Sequence, residues 1–180
     1  MVSPELLAAC RRGDRRAFEE LVRLTARRVY SLAYRMVGDR QDAEDVAQDA
    51  YLRMYRGLAG FREEARFETW MYRIVANCAI THLRRRGRFG MVSSDEDLDV
   101  PVPDYAAQRA VDRDELERGL AALPEGQRIP LLLKDVYGLS VREIAEELDV
   151  AEGAVKVRLH RARKHLAASL AQGDERAGEV

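Results

Sequence analysis

Apolar residues recur at three- and four-residue spacings along most of this chain, and that rhythm breaks between Arg88 and about Ala107. Such spacing buries stripes on helices, and no β-alternation of convincing length occurs anywhere in the sequence. The interrupting stretch contains SSDEDLDVPVPD, whose serines, acids and two prolines read as a linker. The expected fold is therefore all-α, with two helical domains joined by a flexible acidic linker, the C-terminal one a helix-turn-helix. Its boundaries are placed at residues 1–90, 91–110 and 111–170, with a C-terminal tail at 171–180.

Within the first block, Phe18, Leu21, Val22, Val29, Leu32, Ala33 and Met36 define a long amphipathic helix, with Gly13-Asp14 before it and Gly38 after it. A second helix is expected from Asp39, with Asp42 as a cap partner, through Val46, Ala50, Met54 and Leu58. A third covers roughly Arg66 to Arg86 and stops at Gly87. Beyond the linker, helical signals run from near Tyr105 toward Leu123, and Pro124 opens a helix ending near Gly138. Pro130 should kink that helix or shorten its first part.

The 47% hydrophobic content of these 180 residues is enough for packed cores and excludes disorder throughout. A net charge of −1 argues at first against a nucleic-acid binder, but the charge is segregated by segment. Residues 1–90 carry 18 basic and 12 acidic side chains, while 91–112 carry one basic and six acidic. Residues 113–152 carry five basic and ten acidic groups, and 153–169 carry five basic and no acidic ones. A second acid-free stretch, Thr69 to Ser94, holds Arg73, Arg84, Arg85, Arg86 and Arg88. Two basic surfaces suited to phosphate are the result, although a solvated helix face would show the same composition.

Cys10 and Cys78 lack any Cys-x-x-Cys or Cys/His spacing, so neither a disulfide framework nor a metal site is indicated, and no cofactor is called for. Ser3-Pro4-Glu5 reads as a helix start where a signal peptide would need a basic cluster and an apolar run. No apolar stretch approaches membrane-spanning length, so membrane insertion is not expected and a cytoplasmic location is.

The helix-turn-helix is the firmest local motif. Ser140 with Glu143 makes a capping-box pattern after Gly138, and Val141, Ile144, Ala145 and Leu148 form the apolar positions of a short helix. After Asp149-Val150-Ala151, a second helix packs Val155, Leu159, Ala162 and Leu166 on one stripe. Off that stripe lie Lys156, Arg158, His160, Arg161, Arg163 and Lys164. A major-groove recognition helix needs this combination of an anchored apolar face and cationic flanks. His160 and His165 are five apart and make a poor metal pair; His165 is taken as neutral filler near the helix end.

The segment LPEGQRIPLLLKDVYGLSVREIAEELDVAEGAVKVRLHRARKHL resembles region 4 of the extracytoplasmic-function sigma factors. FEELV, GDRQDAEDVAQDAYLRMYR and FETWMYRIVANCAITHLRRRGR resemble region 2 of the same family, in order and spacing. The resemblance implies a subunit that binds core RNA polymerase and directs it to promoters in a stress or envelope response, with the chemistry left to the polymerase. It implies that Asp42, Glu44, Asp45, Gln48 and Tyr51 dock on the β′ clamp helices, and that the β flap is a second polymerase contact. It also implies that the minus-ten element is read and melted by Phe61, Glu64, Phe67, Trp70, Tyr72, Arg73, Asn77, Arg84 and Arg85, with Asn77 at the family's base-pocket position.

Duplex at the minus-thirty-five element would meet Lys156, Val157, Arg158, His160, Arg161, Arg163 and Lys164. Val157 departs from the serine often found there, Asp149 from the usual turn glycine, and Ala154 from a common threonine. An anti-sigma partner is typical of the family. One rival is a two-domain helix-turn-helix transcriptional regulator, which should show a ligand pocket or an α/β receiver pattern. Another is a sigma-mimicking protein, which should lack the cationic recognition face.

Overall fold

The computed structural model describes residues 2–61, 66–87 and 113–177, without side-chain detail at 113 and 172–177. The chain divides into two compact units, 1–86 and 87–180, each with its own core. Every element among the described residues is helical. The linker expected at 91–110 and the signals near Tyr105 lie outside the described residues.

In the first unit, α1 (Pro4–Arg11) starts at Ser3, whose Oγ accepts from Leu6 N at 3.2 Å. Helix α2 (Arg15–Val37) is capped by Asp14, whose Oδ1 accepts from the amides of Arg16 and Ala17 at 2.9 and 3.2 Å. It ends at Gly38 (φ 77°), a left-handed position where a side chain would be strained. Helix α3 (Arg40–Gly57) begins as expected, with Asp39 Oδ1 accepting from Asp42 N at 3.0 Å. A 3₁₀ turn, Leu58–Gly60, follows, and then α4 (Phe67–Arg85). Leu21, Leu32, Met36, Met54, Met71, Ile80 and Leu83 are fully buried between α2, α3 and α4. Each side chain of that size contributes about 1.5–3 kcal/mol by leaving water.

The second unit holds α5 (Arg113–Ala122), α6 (Glu125–Leu131), α7 (Val141–Leu148) and α8 (Glu152–Ala177). The disturbance expected at Pro130 is present. α-Helical bonding ends one residue later, and Leu132–Val136 widen into a π turn in which Tyr137 N bonds Leu132 O at 3.1 Å. Arg128 is buried, and its Nη1 donates to the carbonyls of Ala121 and Leu123 at 3.2 and 3.5 Å, closing the end of α5 with a cation. Nothing local in the sequence marks that role. The helix α8 runs to Ala177, so much of the expected tail at 171–180 continues the helix. It packs on α5 at Gly119, where an added Cβ would meet Leu166 Cδ1 at 2.7 Å.

Candidate nucleic-acid and partner interfaces

The helix-turn-helix forms as its local chemistry dictates. Ser140 Oγ accepts from Glu143 N at 3.2 Å while Glu143 Oε2 accepts from Ser140 N at 2.7 Å, so the capping box is reciprocal. Asp149 takes the left-handed conformation at φ 55°, ψ 52°, which an aspartate tolerates better than most residues. Val155, Leu159 and Ala162 are buried, anchoring α8 against α6 and α7. Lys156, Val157 and His160 are thereby exposed, Val157 at 48%. Arg161 and Lys164 are half-buried; so is Arg158, and desolvation lowers the pKa of its guanidinium from the usual value.

Two assignments on α8 change. Arg163, expected among the DNA contacts, donates from Nε and Nη2 to the two carboxylate oxygens of Asp135 at 3.1 and 2.7 Å, which holds the π turn to α8. That bidentate pair neutralises its charge, so Arg163 is first a bracing residue. His165 is more than filler: its Nδ1 stands 2.8 Å from Gln127 Oε1, a hydrogen bond in which the ring nitrogen donates, tying α8 to α6. Lys134 is an addition. It joins Val141, Lys156, Leu159, His160 and Arg163 around a cleft of about 380 Å³. It stands in the 113–152 segment, which carries twice as many acidic as basic groups, and only the fold brings it to the basic helix.

On α4, helical geometry and burial agree on one outward row: Trp70, Arg73, Ile74, Asn77, Thr81 and Arg84. Arg85 is exposed beside it. The Asn77 carbonyl accepts from Thr81 Oγ1 at 2.7 Å, while its carboxamide makes no hydrogen bond among the described residues. Ile74 and Thr81 were not singled out from sequence, although their spacing from Trp70 and Asn77 contains the signal.

Phe61 and Phe67, expected to contact melted DNA, are instead core residues. Their rings pack edge-to-face with centroids 6.1 Å apart, and Trp70 closes the cluster at 5.0 and 5.9 Å. The indole lies against Gly57, where a Cβ would stand 3.2 Å from Cζ2. Apolar burial won over exposure because three adjacent aromatics can seal the junction of α3 and α4 together. Tyr72 is also displaced from the expected set: two residues beyond Trp70, it points roughly 200° around the helix from that row and is half-buried. Glu64 lies outside the described residues.

The α3 face carries Glu44, Asp45 and Gln48, all exposed, as expected. Asp42 does not belong with them. Its side chain is 0% exposed, with Arg86 Nη1 2.7 Å from Oδ2 and His82 Nε2 3.1 Å from Oδ1. His82 of α4 and Arg86, which caps that helix, both face it, so Asp42 serves the junction of α3 and α4. Tyr51 is likewise half-buried, sharing a 3.0 Å hydrogen bond with Thr25 Oγ1; burial pushes its phenol pKa up. In their place Asp49 and Leu52 continue the row from Asp45 and Gln48, with Leu52 51% exposed.

Comparison with known proteins accords with this geometry. Residues 21–89 match the family described as Sigma-70 region 2, and residues 113–166 match Sigma-70, region 4. Over 172 residues the chain is 38% identical to the RNA polymerase sigma-H factor of Pseudomonas aeruginosa, covering 89% of each protein. It is 30% identical over 178 residues to the ECF RNA polymerase sigma factor SigW of Bacillus subtilis, covering 92% of this chain and 95% of that one. Among solved structures, CnrH, in complex with the cytosolic domain of CnrY, aligns with a TM-score of 0.58 and 27% identity, over 96% of this chain and 99% of that one. The chain belongs to the extracytoplasmic-function class of the sigma-70 family of RNA polymerase sigma factors.

Proposed function

We propose that this chain binds core RNA polymerase and directs it to a defined set of promoters, in a stress or envelope response, from the cytoplasm. The observation that carries the reading is the pairing, in one chain, of an exposed helix-turn-helix face with a half-buried, outward-facing α4 row centred on Trp70 and Asn77. Lys156, Val157 and His160 meet base edges of the minus-thirty-five duplex, flanked by Arg158, Arg161, Lys164 and Lys134 at phosphates. Val157 offers only an apolar contact, suited to a thymine methyl. Trp70, Arg73, Asn77, Arg84 and Arg85 hold the opened minus-ten strand by stacking, base hydrogen bonds and phosphate contacts.

Glu44, Asp45, Gln48, Asp49 and Leu52 dock on a basic helical element of the polymerase, the β′ clamp helices; the second unit contacts the β flap. The chain supplies binding and the polymerase performs phosphoryl transfer. An anti-sigma partner is part of the proposal, because the structural relatives include CnrH with the cytosolic domain of CnrY and RpoE of Bartonella quintana with the anti-sigma factor NepR. Run-off transcription with core polymerase on a genomic promoter library tests the reading: one selected promoter class is expected, and the absence of any selected promoter overturns it.

A further inference from the structure

Helix α2 presents a surface that none of these roles uses. After Glu20 the sequence contains no acidic residue until Asp39, while Arg23, Arg27, Arg28 and Arg35 fall between them. The core side of α2 is fixed by Leu21, Thr25, Leu32 and Met36. Arg23, Arg27, Tyr30 and Tyr34 follow one another at spacings of four, three and four, so they share the opposite face. Arg28 is excluded from that row, since it turns toward Glu68 of α4 at 3.9 Å. Arg23 and Arg27 are exposed, and neither guanidinium has a partner among the described residues. Tyr30 and Tyr34 stack nearly parallel, with ring centroids 6.3 Å apart and an interplanar angle of 12°, and Tyr34 is 43% exposed.

We propose that this Arg23–Arg27–Tyr30–Tyr34 stripe is a third nucleic-acid contact, which binds single-stranded nucleic acid through its phosphates and one stacked base. Its length, at 1.5 Å of rise per residue, is roughly 17 Å, enough for a few nucleotides. Guanidiniums along the track attract phosphates without sequence preference. The tyrosine pair selects a single strand over a duplex or an acidic protein, because only an unpaired base offers a π face to an exposed ring. The stripe does not depend on the promoter-reading roles of α4 and α8.

Fluorescence anisotropy of the full chain with a labelled mixed-sequence single-stranded oligonucleotide tests the proposal, with an identical duplex and polyglutamate as alternative probes. Arg23→Gln with Arg27→Gln should lower single-strand affinity and reduce the log–log salt slope by about 1.4, at roughly 0.7 per phosphate. Tyr34→Ala should weaken binding at least about fivefold, and Tyr34→Trp should retain it. The arginine substitutions should lower the slope by the same amount when made in an Asn77→Ala background, which separates this contact from the minus-ten surface, and a smaller drop there overturns the proposal. An unchanged slope in the arginine variant, with its circular-dichroism melt intact, overturns the proposal. So does an equal loss on duplex, or polyglutamate binding that is indifferent to Tyr34→Ala. Should the double variant melt early, each single arginine variant is read in the same assay, and two unchanged slopes overturn the proposal.

Discussion

Both units tie an arginine of their basic segment to a carboxylate from another element, but the two pairs sit in different surroundings. In the first unit Asp42 is fully buried and faces both Arg86 and His82. In the second, Asp135 and Arg163 are both nearly half exposed, and the pair is bidentate. A buried ion that loses its partner or its own charge leaves an uncompensated group in low dielectric, whereas an exposed one is quickly solvated. The first pair therefore holds an architecture together, whereas the second is expected to set how much cationic charge α8 displays.

The largest effect should come from Asp42→Asn, which leaves Arg86 and His82 facing a neutral group. About 3 kcal/mol of stability should be lost, the low end of the range for a broken buried pair because Arg86 is half exposed. The chain's only tryptophan, Trp70, lies in that unit, so denaturation followed by its fluorescence reports this loss directly. An unchanged midpoint would remove the distinction between the pairs. Next in size, Asn77→Ala should reduce promoter opening about tenfold, for the loss of base hydrogen bonds, while binding of core polymerase stays unchanged. Permanganate footprinting of the opened region checks this.

Alkaline pH separates the units in another way. Both cysteines lie in the first unit; burial pushes both thiols up, Cys78 from 9.0 to about 11. Above pH 9 the unfolded thiol loses its proton while the folded one keeps it, so the native state binds more protons and stability falls as pH rises toward 11. The slope contributed by Cys78 should reach about 1 kcal/mol per pH unit in the Trp70 signal, and Cys78→Ala should reduce it. The smallest stability change belongs to Asp135→Ala, under about 1 kcal/mol. Its readout is binding: a freed Arg163 should raise duplex affinity a few-fold and steepen the salt slope by about 0.9. An unaltered slope would leave Asp135 with no part in setting the charge of α8.

The same contrast explains what was legible from the amino acids. Helix limits at Asp14, Gly38, Asp39, Ser140 and Asp149 rest on interactions within a few residues, and they formed where expected. The apolar stripe of α8 followed from helical period alone, as did the shared face of Trp70, Arg73 and Asn77 on α4. Three misplaced residues depended on partners far along the chain, Asp42 on Arg86, Tyr51 on Thr25 and Arg163 on Asp135, whereas Phe61 and Phe67 were drawn into the core by each other and by Trp70. An acidic residue near a helix start reads as surface until a cation from another element meets it. Lys134 was hidden for the reverse reason, since its exposure to the recognition helix is created by packing.

The wide turn at Leu132–Val136 has a further consequence. One residue more than an α-helical turn requires is held there, so the segment works as a register key between α6 and everything after it. Closing the turn to α-helical spacing with every residue retained would rotate the following side chains by about 100°. Asp135 would swing away from Arg163 and Lys134 away from the cleft, so the width of this one turn is a dial on the electrostatic profile of α8.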